Sequence, residues 1–343
     1  MSCSFISCRR FGRWYISILF LISLFAAPVL SHAEEVIVYS ARIEQLIKPL
    51  FDAFTRETGI PVKFTTDKEG ALLARLIAEG KKTPADVLIT TDAGNLWEAA
   101  RQGLLKPVTS SILTANIPEH LRDPQGQWFG LTVRARTIVY NTRKVKPDEL
   151  STYEDLADPK WKQRLCLRTS KKVYNQSLVA MMIAEHGEAE TERIVKGWVA
   201  NLATDPLPDD TRAMEFVAAG RCDVTLVNTY YFGRLMDSNP ALPLAIFWPN
   251  QNTSGVHVNI SGAGVIRHSK NEQAAIRLLE YLSSEQAQHL FAELNMEYPA
   301  NPRAEQGEVI SSWGSFKENP MNVVQAGELQ AAAVRLMDRA GYR

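Results

Sequence analysis

Tyr230 and Tyr231 are two adjacent phenols whose spacing suits metal chemistry. They follow a short apolar run, residues 224–227, that is typical of a buried strand. A phenol has a pKa of about 10, and a metal ion that binds its oxygen must displace the proton, which favours a hard, highly charged ion. The pair therefore predicts ferric iron as its ligand, although adjacent tyrosines at a strand end also occur as core packing or as an aromatic rim.

The backbone around this pair decides whether both phenols reach one ligand. Neighbouring residues on a regular strand point to opposite faces of the sheet. Tyr230 and Tyr231 therefore meet one ligand only if the strand ends there and the chain turns. Gly233 follows the pair, and we expect it to permit the turn because glycine adopts backbone conformations that other residues avoid.

Tyr174 is a third phenol, in a polar loop over residues 168–177 that precedes an apolar helix predicted over 178–183. The amides and hydroxyls of this loop surround a helix N-terminus, where anions and phenolates are favoured. Cys166 and Cys222 flank the same segment. An exported compartment lets them pair, so we expect a disulfide that closes the segment containing Tyr174; two buried free thiols are the alternative.

Two arginines, Arg134 and Arg136, indicate a site for negative charge. They stand two positions apart in a run, residues 128–141, that predicts one long strand, so both side chains lie on the same face. Because their charge cannot be buried unpaired, they need an acidic partner or a bound anion. A strand of this length is also suited to cross between two lobes.

Alternating strands and helices must position these groups. Strands are predicted over residues 36–39, 62–65 and 87–90, and each is followed by a helical pattern. Such alternation predicts a parallel sheet with helices on both faces, and ligands bind such sheets outside the carboxyl ends of the strands. The charged residues at those ends are Arg42, Glu44, Glu69 and Asp92. Each of them could equally cap a helix or face solvent.

The first 33 residues have the layout of a secretory signal peptide. Three arginines precede an apolar run over residues 14–30, and Ser31-His32-Ala33 is a small-x-small cleavage site. Removal would leave 310 residues, with 35 basic against 38 acidic side chains and a formal charge of −3. This charge predicts no nucleic-acid partner. One hydrophobic core is near its limit at this length, so two lobes are expected.

Several stretches together carry a family pattern. They are Tyr-Ser-Ala-Arg at 39–42, Lys-Thr-Pro-Ala-Asp-Val at 82–87, the strand at 128–141, Val-Tyr-Asn-Gln-Ser at 173–177, Asn-Thr-Tyr-Tyr at 228–231, the glycine-rich strand at 255–264 and Trp-Gly-Ser-Phe at 313–316. In these stretches the chain resembles the periplasmic ferric-iron-binding proteins of iron ABC importers, within the two-lobed solute-binding superfamily. The resemblance runs from residue 36 to the C-terminus.

The resemblance implies an α/β fold, the type II two-lobed periplasmic binding protein. Each lobe is a mainly parallel sheet flanked by helices, and two hinge strands join the lobes. The expected N-terminal lobe comprises residues 34–134 and 262–310, and the C-terminal lobe 135–261 and 311–343.

The resemblance also implies a set of ligands. Tyr174, Tyr230 and Tyr231 would coordinate Fe(III), and Arg42, Arg134 or Arg136 would neutralise a synergistic anion such as carbonate. Many family members carry a ligand pair just after the Tyr-Ser-x-Arg stretch, where this chain has Ile43 and Glu44. Isoleucine cannot bind a metal. The ligand of the first lobe is therefore expected to be Glu44 or Glu69, unless an anion and water fill its place.

The implied function is that of a carrier, not an enzyme. A monomer in the periplasm would bind Fe(III) and deliver it to the inner-membrane permease of an ABC importer. Three phenolates balance the three charges of the ion, and affinity should fall at acid pH because the phenols must lose protons. The alternative is a binder of an oxyanion or a polyamine. An exported hydrolase is disfavoured, because the histidines at 120, 186, 257, 268 and 289 show neither metal-ligand spacing nor a nucleophile motif.

Overall fold

Nine strands join into one sheet across residues 34–343, the part of the chain that the computed structural model describes. The predicted signal peptide, residues 1–33, lies outside the described residues. Within the described part, no helix combines the length and the apolar character that crossing a membrane would require.

Strands and helices alternate over residues 36–101, as predicted. The strands are β1 (Val36–Ser40), β2 (Val62–Thr66), β3 (Val87–Thr90), β4 (Phe129–Asn141), β5 (Leu165–Cys166), β6 (Val224–Asn228), β7 (Leu244–Phe247), β8 (Val258–Val265) and β9 (Tyr298–Pro299). The α-helices are α1 (Glu44–Thr58), α2 (Glu69–Glu79), α3 (Ala93–Arg101), α4 (Ser111–Asn116), α5 (Val173–His186), α6 (Glu188–Ala200), α7 (Asp210–Ala218), α8 (Thr229–Ser238), α9 (Glu272–Leu282), α10 (Glu285–Asn295), α11 (Glu308–Ser311), α12 (Val324–Glu328) and α13 (Gln330–Arg339).

Helix α1 illustrates how local sequence sets these elements. Its apolar residues recur at helical spacing, so Ile47, Leu50 and Phe54 lie on one face and are buried. The helix ends at Gly59, which has a φ of 75° and donates its N–H to the carbonyl of Thr55. Glycine takes this left-handed conformation without steric cost, so Gly59 is suited to end the helix.

The sheet combines parallel and antiparallel pairs. Strand β1 pairs in parallel with β2 and β3, and β5 pairs in parallel with β6. Every antiparallel pair involves β4 or β8. The predicted long strand is confirmed as β4, which is buried along all 13 residues. Its first half pairs with β8 and β9 and its second half with β6 and β7, so β4 crosses from one group of strands to the other.

Hydrophobic cores form on either side of this crossing. One core draws on residues 36–135 and 256–324. Two smaller cores draw on residues 138–244, and helix α13 adds Ala333, Leu336 and Met337 to one of them. Val323 and Val324 pack into the first core although they come from the stretch assigned to the second lobe. The lobe boundaries stay a prediction.

Cys166 and Cys222 form a disulfide, with their Cα atoms 5.8 Å apart. The predicted pairing is therefore confirmed over the alternative of two free thiols. The bridge joins the end of β5 to the residue two positions before β6, and the enclosed segment contains Tyr174.

Candidate metal centre

The structure brings the three predicted phenols together. Tyr174 is the second residue of α5, and Tyr230 and Tyr231 are the second and third residues of α8. The ring centroids of Tyr230 and Tyr231 lie 4.4 Å apart, and those of Tyr174 and Tyr231 lie 6.4 Å apart. Residues separated by more than 50 positions in the sequence thus share one cleft.

The backbone reaches this arrangement differently from the prediction. Strand β6 ends at Asn228 and α8 begins at Thr229, so the first turn of a helix presents both phenols. Gly233 lies inside α8, and the expectation that it makes the turn is wrong. A Cβ atom at this position would lie 2.9 Å from the Met296 sulfur and 2.9 Å from the Trp313 ring, so the glycine allows close packing instead.

Helix α5 begins at Val173, five residues before its predicted start at 178. The apolar run that predicted the helix covers only its buried middle, because the polar residues around Tyr174 form the first turn. Tyr174 therefore stands on a helix rather than in a loop. The prediction that it lies at a helix N-terminus holds.

Both helix N-termini leave backbone N–H groups free for a ligand. The residues that precede the helices, Lys172 before α5 and Asn228 before α8, make no side-chain capping hydrogen bond. The first turn of a helix carries unpaired amides and a partial positive charge. Two such turns beside the phenols favour phenolate oxygens and bound anions.

Cationic side chains surround the phenol rings. Three cations lie over the ring of Tyr174: the guanidinium carbons of Arg134 and Arg168 are 5.5 Å and 5.1 Å from the ring centroid, and the Lys172 amine is 5.4 Å from it. The guanidinium carbon of Arg234 lies 5.1 Å from the ring centroid of Tyr230. Positive charge at this range favours the ionised form of a phenol. Sequence reasoning missed Arg168, Lys172 and Arg234, because they are near the tyrosines along the chain but carry no pattern of their own.

Burial opposes this effect. It raises the pKa of Tyr174 and Tyr230 above the ordinary value, and the neighbouring phenol of Tyr231 raises both further. The charge of Arg134 acts in the opposite direction on each of them. The two phenols are therefore protonated at neutral pH in the metal-free protein, and a metal ion must displace their protons.

The phenols line a cleft of about 480 Å³. The charged residues along its walls are Arg42, Lys68, Arg134, Lys172 and Arg234 on the basic side and Asp67, Glu69 and Glu297 on the acidic side. Five basic groups against three acidic ones leave the metal-free cleft with a positive balance while its phenols are neutral.

Glu297 is a cleft residue that sequence reasoning missed. It is buried and forms an ion pair with Arg42. Burial raises the pKa of Glu297, but the charges of Arg42 and Arg134 and the hydrogen bond from Thr132 bring it below its ordinary value. Glu297 is thus a carboxylate at neutral pH. It precedes the two-residue strand β9, which is too short to show a pattern in the sequence.

Arg42 lines the cleft as predicted, but its guanidinium is largely occupied. Besides the ion pair with Glu297, it donates to Thr132 Oγ1 at 2.8 Å and to Asn295 Oδ1 at 3.0 Å. An anion in the cleft would therefore compete with Glu297 for this side chain.

Arg134 and Arg136 have different surroundings. Arg134 lines the cleft, and its nearest carboxylate, Asp92, is 3.9 Å away. Arg136 is fully buried outside the cleft lining, where it pairs with Asp210 at 2.6 Å and donates to Asn175 Oδ1 at 2.7 Å. The structure therefore contradicts the anion-binding role expected of Arg136. Asp210 is the acidic partner that a buried arginine requires.

The two glutamates considered for the first lobe also differ. Glu44 is exposed at the start of α1 and is absent from the cleft lining, so the structure does not place it where a metal ligand is needed. Glu69 lines the cleft and accepts a hydrogen bond from Thr91 Oγ1 at 2.5 Å. The first turn of α1 directs Glu44 to solvent, whereas exposed Ile43 lines the cleft.

Comparison with known proteins gives a consistent picture. Residues 82–317 match the family described as bacterial extracellular solute-binding protein. The chain is 44% identical over 316 residues to iron uptake protein A1 of Synechocystis sp., a match that covers 90% of this chain and 88% of that protein. It is 27% identical to the Fe(3+)-binding periplasmic protein of Serratia marcescens, covering 92% and 93% of the two chains.

A solved structure from Trichodesmium, FutA in complex with iron and citrate ligands, has the same fold. It aligns with a TM-score of 0.87 and 44% identity, and the match covers 90% of this chain and 100% of that one. This likeness confirms the expected two-lobed α/β architecture.

Proposed function

Since the chain belongs to the family of bacterial extracellular solute-binding proteins, we propose that it binds ferric iron in its cleft through Tyr174, Tyr230 and Tyr231. Members of this family bind solutes and are not enzymes, as was expected for this chain. The observation that carries the proposal is the convergence of three phenols at the N-termini of two helices. Phenolate oxygens are hard, anionic ligands that suit Fe(III) better than softer ions.

Charge supports a ferric ion rather than a divalent one. Three phenolates cancel the three positive charges of Fe(III), so burying the complete centre adds no net charge. The basic excess of the cleft then remains unbalanced. An anion such as carbonate would offset it, held by Arg134 with help from Lys172 and Arg234.

The first lobe contributes less to the centre than the phenols do. Ile43 cannot bind a metal, and Glu44 faces solvent. We assign the remaining coordination to Glu69 or to the anion and water. Glu297 stays with Arg42, because leaving either charge buried without its partner is costly.

The proposed carrier acts outside the inner membrane. The relatives named above are an iron uptake protein and a periplasmic Fe(3+)-binding protein. We infer that this chain likewise works in the periplasm and passes Fe(III) to the permease of an ABC importer, and we expect it to act as a monomer. Closure of two lobes around a ligand, and reopening at the permease, is the motion that such two-lobed binders use.

Phenolate coordination gives a direct test. Purified protein mixed with ferric citrate should turn orange-red, because electron density moves from phenolate to iron on absorbing visible light. Tyr230→Phe should weaken both the colour and the affinity, since it removes one ligand oxygen. The matched control is Tyr140→Phe, a tyrosine of β4 outside the cleft lining, which should leave the colour unchanged.

The outcome separates the proposal from its alternative. A colourless mixture, or a colour that Tyr230→Phe leaves intact, would contradict phenolate ligation. In that case the basic excess of the cleft would favour a binder of oxyanions, which phosphate or sulfate titrations would reveal.

A further inference from the structure

We propose a second metal site, formed by Glu154, Glu185 and His186, that takes a divalent transition ion such as Zn²⁺. It is separate from the cleft and does not depend on the ferric proposal. Glu185 and His186 are the last two residues of α5, and Glu154 begins a short 3-10 helix. Spacing along the sequence could not reveal the site, because Glu154 lies 31 positions from Glu185.

The ligand atoms converge at metal-binding distances. His186 Nε2 lies 2.9 Å from Glu154 Oε1 and 3.6 Å from Glu185 Oε2, and one ligand atom from each residue lies within 4.8 Å of the others. Tetrahedral ligands at about 2.1 Å from Zn²⁺ are about 3.4 Å apart. The observed distances bracket this value, so small side-chain rotations suffice to admit the ion.

The local charge also favours a cation. Among residues 34–343, His186 is the only basic side chain within 4 Å of either carboxylate. The site also sits at the C-terminal end of a 14-residue helix, where the partial negative charge attracts cations. Glu154 and Glu185 are partly shielded from water, with 24% and 14% of their side chains exposed, whereas His186 is a surface residue with 31% of its side chain exposed.

Two buried asparagines hold the carboxylates in place. Asn250 donates to Glu154 at 3.1 Å, and Asn319 donates to Glu185. The amide oxygens of both asparagines accept backbone N–H bonds, which fixes the NH₂ groups toward the carboxylates. Outer hydrogen bonds of this kind orient the ligands of metal sites.

The donor set selects the class of ion. One imidazole and two carboxylates form the mixed nitrogen and oxygen set that Zn²⁺ and similar ions prefer, and water would complete the sphere. Fe(III) is served better by the phenols of the cleft. Tyr174 and His186 stand twelve positions apart on α5, which places their backbones about 18 Å apart along the helix. The two sites can therefore be loaded separately.

The test is Zn²⁺ titration of protein already saturated with ferric citrate, followed by calorimetry or by competition with a chromogenic chelator. We expect one equivalent of Zn²⁺ to bind to the wild type. His186→Ala and Glu185→Gln should each abolish Zn²⁺ binding at this site or lower its affinity by at least about tenfold. Mutating a residue that only orients a metal ligand already lowers affinity by about tenfold or more, so loss of a ligand should cost at least as much. Ferric colour should stay the same in every variant.

A matched control is His289→Ala. His289 is also a surface histidine beside a glutamate, with Nε2 3.4 Å from Glu293, but it has no second carboxylate within 4 Å in the described part of the chain. This variant should bind Zn²⁺ like the wild type. If the wild type binds no Zn²⁺, or if the equivalent survives in both His186→Ala and Glu185→Gln, the site is an ion pair and not a metal site. Neither result bears on the ferric proposal, which rests on colour.

Discussion

The phenols of Tyr174 and Tyr230 are subject to opposing effects. Burial and the neighbouring phenol of Tyr231 raise their pKa, whereas Arg134 lowers it, and the net shift is upward for both. The neutral form is thus stabilised in the metal-free protein. In the proposed ferric centre, Fe(III) bound to the phenol oxygens would reverse this balance, because a charge of +3 at the oxygen favours the phenolate. The same residues would then be neutral without the ion and anionic with it.

Proton release should accompany ferric binding. A phenol must lose its proton to bind Fe(III), so binding should release about three protons per Fe(III), one from each ligand tyrosine. Affinity must then rise with pH and fall at acid pH. A pH-stat titration with ferric citrate, corrected for citrate protonation, measures the number of protons released per Fe(III). Tyr230→Phe should release about two, and a value near zero for the wild type would rule out phenolate ligands.

Arg134 and Arg136 show that two residues on the same face of a strand can have different roles. Both are buried in β4. Arg136 forms a buried ion pair with Asp210 at 2.6 Å, while Arg134 lies 3.9 Å from Asp92 and over the ring of Tyr174. Their spacing predicted a need for negative charge. Only the surrounding elements decide whether a side chain or a ligand supplies it.

At the scale of elements, the site depends on where α5 and α8 begin. Each helix starts one residue before its first tyrosine, so the phenols stand on the first turn of a helix and not on a loop. Helix α8 is held by close packing of Gly233 against Met296 and Trp313. We expect this contact to fix the position of the first turn of α8, which begins four residues earlier.

Gly233→Ala should disturb this packing. The new Cβ would meet the Met296 sulfur and the Trp313 ring at 2.9 Å, so α8 must shift and ferric affinity should fall by roughly tenfold, about 1.4 kcal/mol. The control is Gly70→Ala in α2, where no atom lies within 4 Å of the added Cβ. That change should preserve affinity and stabilise the protein by up to about 1 kcal/mol, as measured by urea unfolding. Equal ferric affinity in both variants would contradict the packing role.

For the whole molecule, the crossing strand and the disulfide have separate roles. Strand β4 links the two groups of strands and carries Arg134 to the cleft. The Cys166–Cys222 bridge closes a segment that includes α5, α6 and α7. A cross-link between residues 56 positions apart stabilises the fold chiefly by restricting the unfolded chain.

Replacing both cysteines by serine should therefore reduce stability more than binding. We expect the free energy of unfolding of the metal-free protein to fall by about 2–5 kcal/mol in urea titrations. Ferric colour should persist at saturation, because the phenols are positioned by α5 and α8. A variant that remains folded but gives no colour would show that the bridge itself positions Tyr174.

The sequence by itself determined much of this protein. The tyrosine pair, the alternating elements and the long strand β4 follow from local patterns, because side-chain chemistry and periodicity are properties of neighbouring residues. The pairing of Cys166 with Cys222 was expected from an exported compartment. The type II two-lobed fold and the joining of Tyr174 to the tyrosine pair were implied by the resemblance to ferric-iron-binding proteins.

Tertiary structure alone decided which charged residues belong to that site. Glu297 lines the cleft, whereas Glu44 does not. Arg136 is paired with Asp210, and Glu154 contacts His186 outside the cleft. None of these outcomes has a local signal, since each depends on elements distant in the chain that pack side by side. The electrostatic partner of a buried charge is set by that packing, which no short stretch of sequence encodes.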